Sequence, residues 1–404
     1  MILTGQPWLE AAATRAVIAA LEAAGGPGCA RFVGGCVRNA LIGQPVEDVD
    51  IATTLRPEET ERAIRAAGLK AVPTGLAHGT VTAISGREPF EITTLRRDVS
   101  TDGRNATVAF TDDWAEDAGR RDFRLNALYA DAGGQVFDPT GEGVADALAG
   151  RVVFVGDPAT RIREDYLRIL RFFRFFAWYG AGEPDPAGLA ACAALAPGMS
   201  RLSAERVSKE LTRLLAAPDP RAAVTAMAAT GVLARILPEA AASPVFAAMV
   251  GLSRDPTARL AALVPSEEAV VVDISRRLRL PNATRDRLAA AARALPETSL
   301  SMSEAAARAA AYRHGGPALA DALRLRLAET PSRQAEAAPL LAIAEGWVPP
   351  RMPVGGREVA RLGVPPGPET GRLLRAFEAE WMAEDFPEAG HAERLARLAG
   401  ARPG

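Results

Sequence analysis

The stretch "RFVGGCVRNALIGQPVEDVDIATT", residues 31–54, joins two adjacent glycines to two alternating acids within one short unit. The apolar run that leads into Gly34 and Gly35 predicts a short buried strand, and the residues after them predict a turn of helix. Beyond that helix, apolar and polar residues alternate, which predicts a second strand with Asp48 and Asp50 on one face. We therefore expect a strand, a glycine turn, a helix and an acid-bearing strand to lie together.

These residue types in this order are typical of a site for a nucleoside triphosphate and a metal. Side chains two apart on a strand project the same way, so Asp48 and Asp50 can reach one divalent cation. Few protein donors and hard oxygen ligands suit Mg²⁺, which keeps water and substrate phosphates in its shell. Backbone N–H groups at Gly34 and Gly35 can face a polyphosphate, and Arg38 can donate to the same anion. Each feature alone is also common as an ordinary turn or a solvated strand end.

The composition of the chain restricts the classes of protein that it can belong to. At 404 residues it is long enough for several domains, and its formal net charge of −2 requires any nucleic-acid partner to meet a local basic patch. Three cysteines without C-x-x-C pairing predict neither a disulfide framework nor a zinc site, and they indicate the reducing cytoplasm. We find no signal-peptide pattern and no apolar run of about 18 residues, so we expect no membrane span.

Two kinds of sequence pattern divide the chain. Alternating runs separated by turn residues fill roughly residues 28–138 and predict a mixed sheet with helices on one side. From about residue 157 onward the strand signal nearly disappears, and helical runs are separated by Gly and Pro. We therefore predict an α+β head followed by all-helical domains, with the head at 1–138, a neck at 139–215, a body at 216–345 and a tail at 346–404.

The run GG-x-V-R-x-x-L-x-G…D-x-D-x-A-T resembles the head domain of the class II tRNA nucleotidyltransferases and bacterial poly(A) polymerases, members of the DNA polymerase beta superfamily. Six further blocks resemble the family in order, and they are "TGLAHGTVT" (74–82), "FEITTLRRD" (90–98), "DGRNATVAF" (102–110), "RRDFRLNALYAD" (120–131), "REDYLRILRFFRF" (163–175) and "LSAERVSKEL" (202–211). The stretch "GREVARLGVPPGPETGRLL" is similar to the family's C-terminal helical region, whereas residues 220–350 match loosely. The resemblance implies a polymerase-beta-like nucleotidyltransferase head.

The resemblance implies a two-metal catalytic centre in that head. Asp48 and Asp50 would hold two Mg²⁺ ions that activate the 3′-hydroxyl of an RNA and stabilise the leaving pyrophosphate. Glu91, on a neighbouring strand, would be a third carboxylate, with an edge-exposed acid as the alternative. The glycine turn and Arg38 would bind the triphosphate of the incoming nucleotide.

The "RRDF" block resembles the family's contact with the nucleotide sugar. Arg121 and Asp122 would meet the sugar, since the Asp122 carboxylate offers the acceptor that a 2′-hydroxyl needs, and Asn126 would support that loop or cap it. Two residues depart from the family pattern, because Asn39 replaces the usual aspartate and Arg124 replaces the usual threonine. Asn39 keeps an acceptor but loses a charge, which puts any salt bridge from that position in doubt.

The "EDYLR" block resembles the part of the family that selects the base. Asp165 and Arg168 are three residues apart, so we expect them on one face of a helix. A carboxylate beside a guanidinium can pair with the edge of cytosine and, slightly redirected, with adenine. The resemblance implies that these groups replace a template, with Glu164 orienting Arg168. A surface salt bridge is the alternative.

The polar stretch "RRDVSTDGRNATVAF" resembles the family's flexible loop, which is proposed to help the switch from adding C to adding A. Arg96, Arg97 and Arg104 could contact phosphate there, and a solvated loop is the alternative.

Taken with its motifs, the resemblance implies a template-independent enzyme that adds CCA to tRNA 3′ ends from CTP and ATP. The neck would select the nucleobase and the tail would contact tRNA. A bacterial poly(A) polymerase and a C-only or A-only tRNA enzyme are the alternatives within the fold. A dehydrogenase would need G-x-G-x-x-G and one acid, and an inactive RNA-binding protein would not need the acids that this chain retains. The tRNA patch would lie among arginines of the neck or of the body (Arg201, Arg206 and Arg213, or Arg276, Arg277 and Arg279).

Overall fold

The computed structural model describes residues 1–75, 79–102 and 105–400. The chain divides into two compact units, Met1–Pro238 and Glu239–Gly404. Every strand of the described residues belongs to the first unit, and the second unit is helical. The finer division into head, neck, body and tail stays a prediction.

The first unit contains a mixed sheet, as the alternating runs predict. The strands described are β1 (Ala30–Val33), β2 (Asp50–Thr53), β3 (Lys70–Gly75), β4 (Thr80–Ser85), β5 (Glu88–Thr94), β6 (Arg96–Asp102), β7 (Asn105–Phe110), β8 (Tyr129–Ala130) and β9 (Val136–Phe137). Seven of them form one sheet in the order β3-β4-β5-β2-β1-β8-β9. Within it β2 and β5 are parallel and the other neighbours are antiparallel. The parallel pair places the ends of two strands side by side.

The turn after β1 requires glycine at its first position. Gly34 has φ +72°, a backbone conformation that side-chain-bearing residues rarely adopt, and the helix α3 begins at the next residue. Val33 and Cys36 on either side are buried, so the turn is fixed to the sheet by apolar packing. The sequence prediction of strand, glycine turn and helix is confirmed.

The predicted acid-bearing strand is shorter than its sequence pattern. Strand β2 begins at Asp50, so Asp48 lies before the strand and the two acids do not share a strand face. The reason is that the last register pair of β1 and β2 before the turn is Phe32 opposite Ile51, after which β1 ends at Val33. Residues before Asp50 therefore lose their ladder partner on that side.

The stretch predicted to be a flexible loop contains a hairpin. Strands β6 and β7 pair antiparallel as a separate two-stranded sheet, with Arg96 opposite Phe110. The stretch is mostly polar, but it includes Val and Thr residues, whose branched side chains favour strands. Arg104, one of the arginines predicted to contact phosphate, lies outside the described residues.

Helices and 3₁₀ turns form the rest of the described elements of the first unit. They are α1 (Pro7–Glu10), α2 (Ala12–Gly25), α3 (Gly35–Leu41), α4 (Pro57–Ala66), α5 (Trp114–Gly119), α6 (Gly143–Ala149), α7 (Pro158–Glu164), α8 (Leu167–Tyr179), α9 (Pro186–Leu195), α10 (Ala204–Leu215), α11 (Arg221–Ala229) and α12 (Val232–Ile236), with 3₁₀ turns at Arg124–Asn126 and Ala196–Arg201. The α8 phenylalanines are buried as core residues, with Phe172 stacked at 5.5 Å between ring centroids on Phe154.

The expectation that Asp165 and Arg168 share one face of a single helix is wrong, because the helix breaks at Asp165. Helix α7 ends at Glu164, and Asp165 has extended backbone angles (φ −152°, ψ 107°). The Asp165 side chain instead accepts a hydrogen bond from the Leu167 N–H at 3.1 Å, at the start of α8. Asp residues compete with the helix in this way because their short side chains bond to nearby backbone.

The second unit consists of helices packed around apolar clusters, two of which are large. Its helices are α13 (Pro244–Leu252), α14 (Pro256–Leu263), α15 (Glu268–Arg277), α16 (Asn282–Ala294), α17 (Glu304–His314), α18 (Gly316–Glu329), α19 (Gln334–Gly346), α20 (Gly356–Arg361), α21 (Pro368–Ala383) and α22 (His391–Leu398), with 3₁₀ turns at Leu295–Glu297 and Pro331–Arg333. One cluster is rich in alanine and leucine and includes Leu319 and Leu323. The other is aromatic and includes Phe377 and Trp381.

Of the helices described, none combines the length and the apolar composition that a bilayer crossing requires.

Candidate active site

A cavity of about 490 Å³ lies in the first unit where the glycine turn faces α8. Its lining contains six arginines and three aspartates, and it comprises Val33, Gly34, Gly35, Arg38, Asp50, Arg120, Arg121, Asp122, Asn126, Asp165, Leu167, Arg168, Arg171, Phe175 and Arg206. The excess of positive charge favours an anionic ligand such as a polyphosphate. The glycine turn, the sugar block and the base-selecting block thus each contribute several residues to one cavity, and the acidic pair contributes Asp50.

The acidic edge of the cavity is made by the parallel strands. Asp50 and Glu91 are direct register partners on β2 and β5, so their side chains lie on the same face. Partial desolvation, then the charges of Glu91 and Asp48, raise the pKa of Asp50 to about 6, while Arg121 acts in the opposite direction. The Asp50 side chain is nevertheless exposed, so we attribute more of the raised pKa to the neighbouring carboxylates than to burial.

This edge has the donor chemistry of a magnesium site that substrate completes. Within the described ranges, no group of three or more acidic, histidine or cysteine side chains is arranged to hold a metal by itself. Mg²⁺ is commonly held by one or two carboxylates, with water and substrate phosphates as its other ligands. Asp48 and Asp50 fit that pattern, and the raised pKa of Asp50 is what crowded carboxylates show before a cation neutralises them.

Arg38 is buried at the inner wall of the cavity and contacts neutral groups. It donates to the Asn126 side-chain oxygen, to the Tyr179 hydroxyl at 2.8 Å and to the Asn39 oxygen at 2.9 and 3.1 Å. Its guanidinium carbon also lies 3.8 Å from the centre of the Tyr179 ring. Burial lowers the pKa of Arg38, although Tyr179 and Asp122 act in the opposite direction.

The two residues predicted to meet the sugar are held by internal ion pairs. Arg121 pairs with the buried Asp117 at 2.9 Å. Asp122 accepts from Arg171 Nε at 2.7 Å, from Asn126 at 3.1 Å and from its neighbouring backbone N–H. Burial would raise the pKa of Asp122, but Arg171 and these hydrogen bonds lower it. Asp122 is therefore a charged acceptor, already oriented by its partners.

The base-selecting block contributes two separate side chains to the cavity. Arg168 pairs with Glu164, as expected of a residue that orients it, and donates to the Arg161 carbonyl at 2.8 Å and the Arg120 carbonyl at 3.2 Å. Asp165 pairs with Arg206 Nη2 at 2.6 Å and not with Arg168. Both residues reach the cavity although the helix breaks between them.

Sequence reasoning missed Arg171 and Tyr179, and it placed Arg206 in a candidate tRNA patch and not beside Asp165, where the structure has it. Arg171 lies three residues after Arg168, a spacing that marks the same helix face and could have been noticed. Arg206 lies in a block that resembles the family, but its pairing with Asp165 spans 41 residues. Tyr179 carries no sequence signal for its contact, which spans 141 residues.

The arginines predicted to lie on a flexible loop do not line the cavity among the described residues. Arg97 lies 3.8 Å from Glu116, and the Arg96 backbone N–H donates to Asp117 at 3.4 Å. Both contacts tie the base of the hairpin to α5. A role in phosphate contact stays a prediction for Arg96 and Arg97.

Two family models match the chain in the expected order. Residues 30–153 match the poly A polymerase head domain, and residues 183–243 match the probable RNA and SrmB-binding site of polymerase A. The first match contains the glycine turn, both acidic strands and the sugar block. The second begins after α8 and contains Arg206.

Curated relatives and a solved structure extend this likeness over the rest of the chain. The mouse mitochondrial CCA tRNA nucleotidyltransferase 1 is 33% identical over 368 residues, which cover 88% of this chain and 83% of that relative. The zebrafish protein of the same name is 45% identical over 188 residues, which cover 46% of this chain and 43% of that relative. The crystal structure of the Bacillus stearothermophilus CCA-adding enzyme in complex with CTP superimposes with a TM-score of 0.77 at 25% identity, over 98% of both chains.

The mouse match covers both compact units, and the two family models fall within the first unit and at its boundary. The solved structure shows the same architecture from end to end. The chain belongs to the family of the CCA tRNA nucleotidyltransferases.

Proposed function

We propose that this protein adds the sequence CCA to the 3′ ends of tRNA, from CTP and ATP and without a nucleic-acid template. The observation that supports this most directly is the single cavity that the phosphate-binding turn, the acidic edge, the sugar block and the EDYLR block share. Such a site can hold a whole nucleoside triphosphate and contact its base through protein groups alone. Family membership supports the reaction type, and the CTP bound to the Bacillus enzyme supports the substrate class.

In the proposed reaction, the triphosphate lies along the basic wall and the transfer occurs at the acidic edge. The glycine turn and Arg38 bind the phosphates, and Asp48 and Asp50 hold Mg²⁺. When bound, Mg²⁺ neutralises phosphate oxygens and lowers the pKa of the attacking hydroxyl. The Glu91 carboxylate lies beside Asp50 in the register of the parallel strands, which strengthens the attraction of this edge for the cation.

The sugar and the base meet the opposite wall in this proposal. Arg121, Asp122 and Asn126 contact the sugar side, where Asp122 offers an oriented acceptor to a 2′-hydroxyl. The Asp165 carboxylate accepts from the exocyclic amine of cytosine or adenine, and the Arg168 guanidinium donates to the ring acceptors. Because uracil presents an acceptor where cytosine presents an amine, it would face the Asp165 carboxylate with like polarity.

The proposed partner is tRNA, and the proposed compartment is the cytoplasm. All three cysteines are free and buried, which supports a reducing compartment.

The test is incorporation of labelled nucleotides into tRNA that lacks its 3′ CCA. The full-length protein should add C, C and A in that order from CTP, ATP and Mg²⁺, and sequencing of the ends should show no further residues. Asp50→Ala should reduce incorporation by at least about 1,000-fold, because it removes a ligand of the cation at the reacting phosphate. Binding of tRNA, measured by filter retention, should change by less than about twofold.

A matched control is Asp112→Ala, which removes an aspartate of the same unit that is 76% exposed. It should retain full activity. Long poly(A) tails on arbitrary RNA would replace this proposal with a poly(A) polymerase, and products that end at CC or that need preformed CC would indicate a partial activity.

A further inference from the structure

Arg38 is a buried cation without a carboxylate partner. Its side chain is 6% exposed, and among the described residues it forms no ion pair. Asp122, whose charge influences it, is already paired with Arg171. A buried charge is unfavourable unless it is compensated. The guanidinium therefore keeps an unsatisfied attraction for an anion that enters the cavity.

Tyr179 holds this guanidinium from two directions. The hydroxyl accepts a hydrogen bond from Arg38 Nη2 at 2.8 Å, and the ring lies 3.8 Å from the guanidinium carbon. An aromatic face attracts a cation without neutralising it. Tyr179 is the last residue of α8, so the contact joins the glycine-turn helix α3 to the helix that bears Arg168.

Asn39 completes this neutral environment and is itself fixed in place. Its side-chain oxygen accepts hydrogen bonds from both Nε and Nη2 of Arg38, and its amide nitrogen donates one to the Pro45 carbonyl at 2.8 Å. An aspartate here would form an ion pair with Arg38 and would lose the donation to Pro45. The amide therefore orients Arg38 while leaving its charge uncompensated.

We propose that Tyr179 and Asn39 are positioning residues that hold Arg38 as a pre-oriented and un-neutralised receptor for the triphosphate of the incoming nucleotide. This inference rests on the proposed function, because it identifies the anion as the phosphates of CTP or ATP. CTP and ATP share the triphosphate, so the two residues act equally on both substrates. Base-selecting residues would instead discriminate between them.

The test measures binding of inorganic tripolyphosphate to the full-length protein by isothermal titration calorimetry, without RNA or nucleotide. Tyr179→Phe removes one hydrogen bond to a charged group and should raise the dissociation constant about three- to tenfold. Tyr179→Leu also removes the aromatic face and should raise it further. The control Tyr312→Phe removes a hydroxyl that bonds to Glu378 in the second unit, and it should have no effect.

Asn39→Asp tests the second half of the proposal by adding an internal counter-charge. Aspartate is the family's usual residue here, so the change should leave the site able to bind, but the new carboxylate should compete for Arg38 and weaken tripolyphosphate binding by about three- to tenfold. The control Asn282→Asp makes the same change at the first residue of α16, and it should leave the affinity unchanged. Circular dichroism should confirm that every variant is folded at the temperature of the titration.

Steady-state kinetics distinguish a positioning role in nucleotide binding from a role in protein stability alone. Tyr179→Phe should raise KM for CTP and for ATP by the same factor and leave kcat within about twofold, as expected for loss of uniform binding. Unchanged tripolyphosphate affinity in folded Tyr179→Phe and Asn39→Asp, or a KM effect on only one nucleotide, would overturn the inference. A wild-type protein that binds tripolyphosphate but adds nothing to tRNA would refute the proposed function alone.

Discussion

Asp117 is the residue on which the sugar side of the site depends. It is 1% exposed, pairs with Arg120 at 2.7 Å and Arg121 at 2.9 Å, and accepts the Tyr129 hydroxyl at 2.7 Å. Burial alone would raise the pKa of this carboxyl, but the charges of Arg121 and Arg120 and the Tyr129 hydrogen bond lower it to about 2. Asp117, together with the Tyr129 hydroxyl, therefore fixes the orientation in which Arg121 faces the cavity.

We predict that Asp117→Asn lowers the free energy of unfolding at pH 7 by about 3 kcal/mol, since it leaves partly buried arginines without their counter-charge. Because the folded pKa lies below the ordinary value of 3.8, the stabilisation by Asp117 is complete above about pH 4 and is lost as the pH falls through 2. The wild-type protein should therefore lose stability over this range by more than the variant. Urea denaturation followed by tryptophan fluorescence, to which Trp114 contributes with its ring centroid 5.2 Å from that of Tyr129, measures both.

Asp112→Asn is the control, because that side chain is 76% exposed and should change stability little. Equal unfolding free energies for wild type and Asp117→Asn at pH 7 would contradict the prediction.

At the level of secondary structure, the break between α7 and α8 decides how the base-selecting side chains are placed. Asp165 caps the start of α8 with one oxygen and pairs with Arg206 on α10 through the other. Arg168 follows within the first turn of α8 and is bound to Glu164 at the end of α7. The end of α7, the start of α8 and helix α10 therefore fix the acceptor Asp165 and the donor Arg168. A continuous helix through residue 165 would place these two side chains differently.

We predict that Arg206→Gln loosens the Asp165 carboxylate and reduces discrimination between CTP and UTP. Loss of a charge-assisted hydrogen bond of about 1.5–3 kcal/mol corresponds to roughly a 10- to 100-fold change in the ratio of the two kcat/KM values. Single-nucleotide incorporation assays with each nucleotide measure that ratio. Lys209→Gln, on an exposed position of the same helix, is the matched control, and an unchanged ratio in Arg206→Gln would contradict the assignment.

Local sequence signals predicted the elements of this site well. The Gly34 turn, the flanking strand and helix and the β5 strand that carries Glu91 all follow from periodicity and turn chemistry, which act over a few residues. The start of β2 at Asp50 did not follow, because it depends on where the partner strand β1 ends. The break at Asp165 did not follow either, since helical periodicity continues through it and only a side-chain cap interrupts the backbone.

Contacts between distant parts of the sequence account for the rest. The pairing of Asp165 with Arg206 and of Arg38 with Tyr179 depends on how α8 packs against the head and against α10. No property of either residue type at its own position reveals such a partner. From a single sequence, the residues that line the cavity could be predicted more completely than the residues that orient them through long-range contacts.

At the scale of the whole molecule, a net charge of −2 leaves tRNA binding to a minority of arginines. Arg276 and Arg277 in the second unit are paired with Asp273 and Glu239, so most of their charge is compensated within the protein. By contrast, Arg201 and Arg213 are exposed, and among the described residues neither forms an ion pair. An arginine without an ion-pair partner in the protein can neutralise an RNA phosphate fully, and it then releases the counterions bound to that phosphate.

We predict that the double variant Arg201→Gln and Arg213→Gln weakens tRNA binding and reduces the slope of log K against log salt by about 1 to 2. The matched variant Arg276→Gln and Arg277→Gln should leave the slope nearly unchanged. Fluorescence anisotropy of labelled tRNA over a range of salt concentrations measures both slopes. A larger change in the second variant would place the tRNA patch on the other unit.

Helix α8 has Arg168 in its first turn and Tyr179 at its last residue, about 16 Å apart along the axis at 1.5 Å per residue. Because α8 is one uninterrupted helix, a rigid shift of it would move Arg168 and Tyr179 together, and Arg38 with them. The contacts to the base and the contacts to the phosphates would in that case depend on the position of the same helix. A nucleotide whose base does not fit would then also lose contacts to its triphosphate, and it would dissociate faster than the loss of base contacts alone would allow.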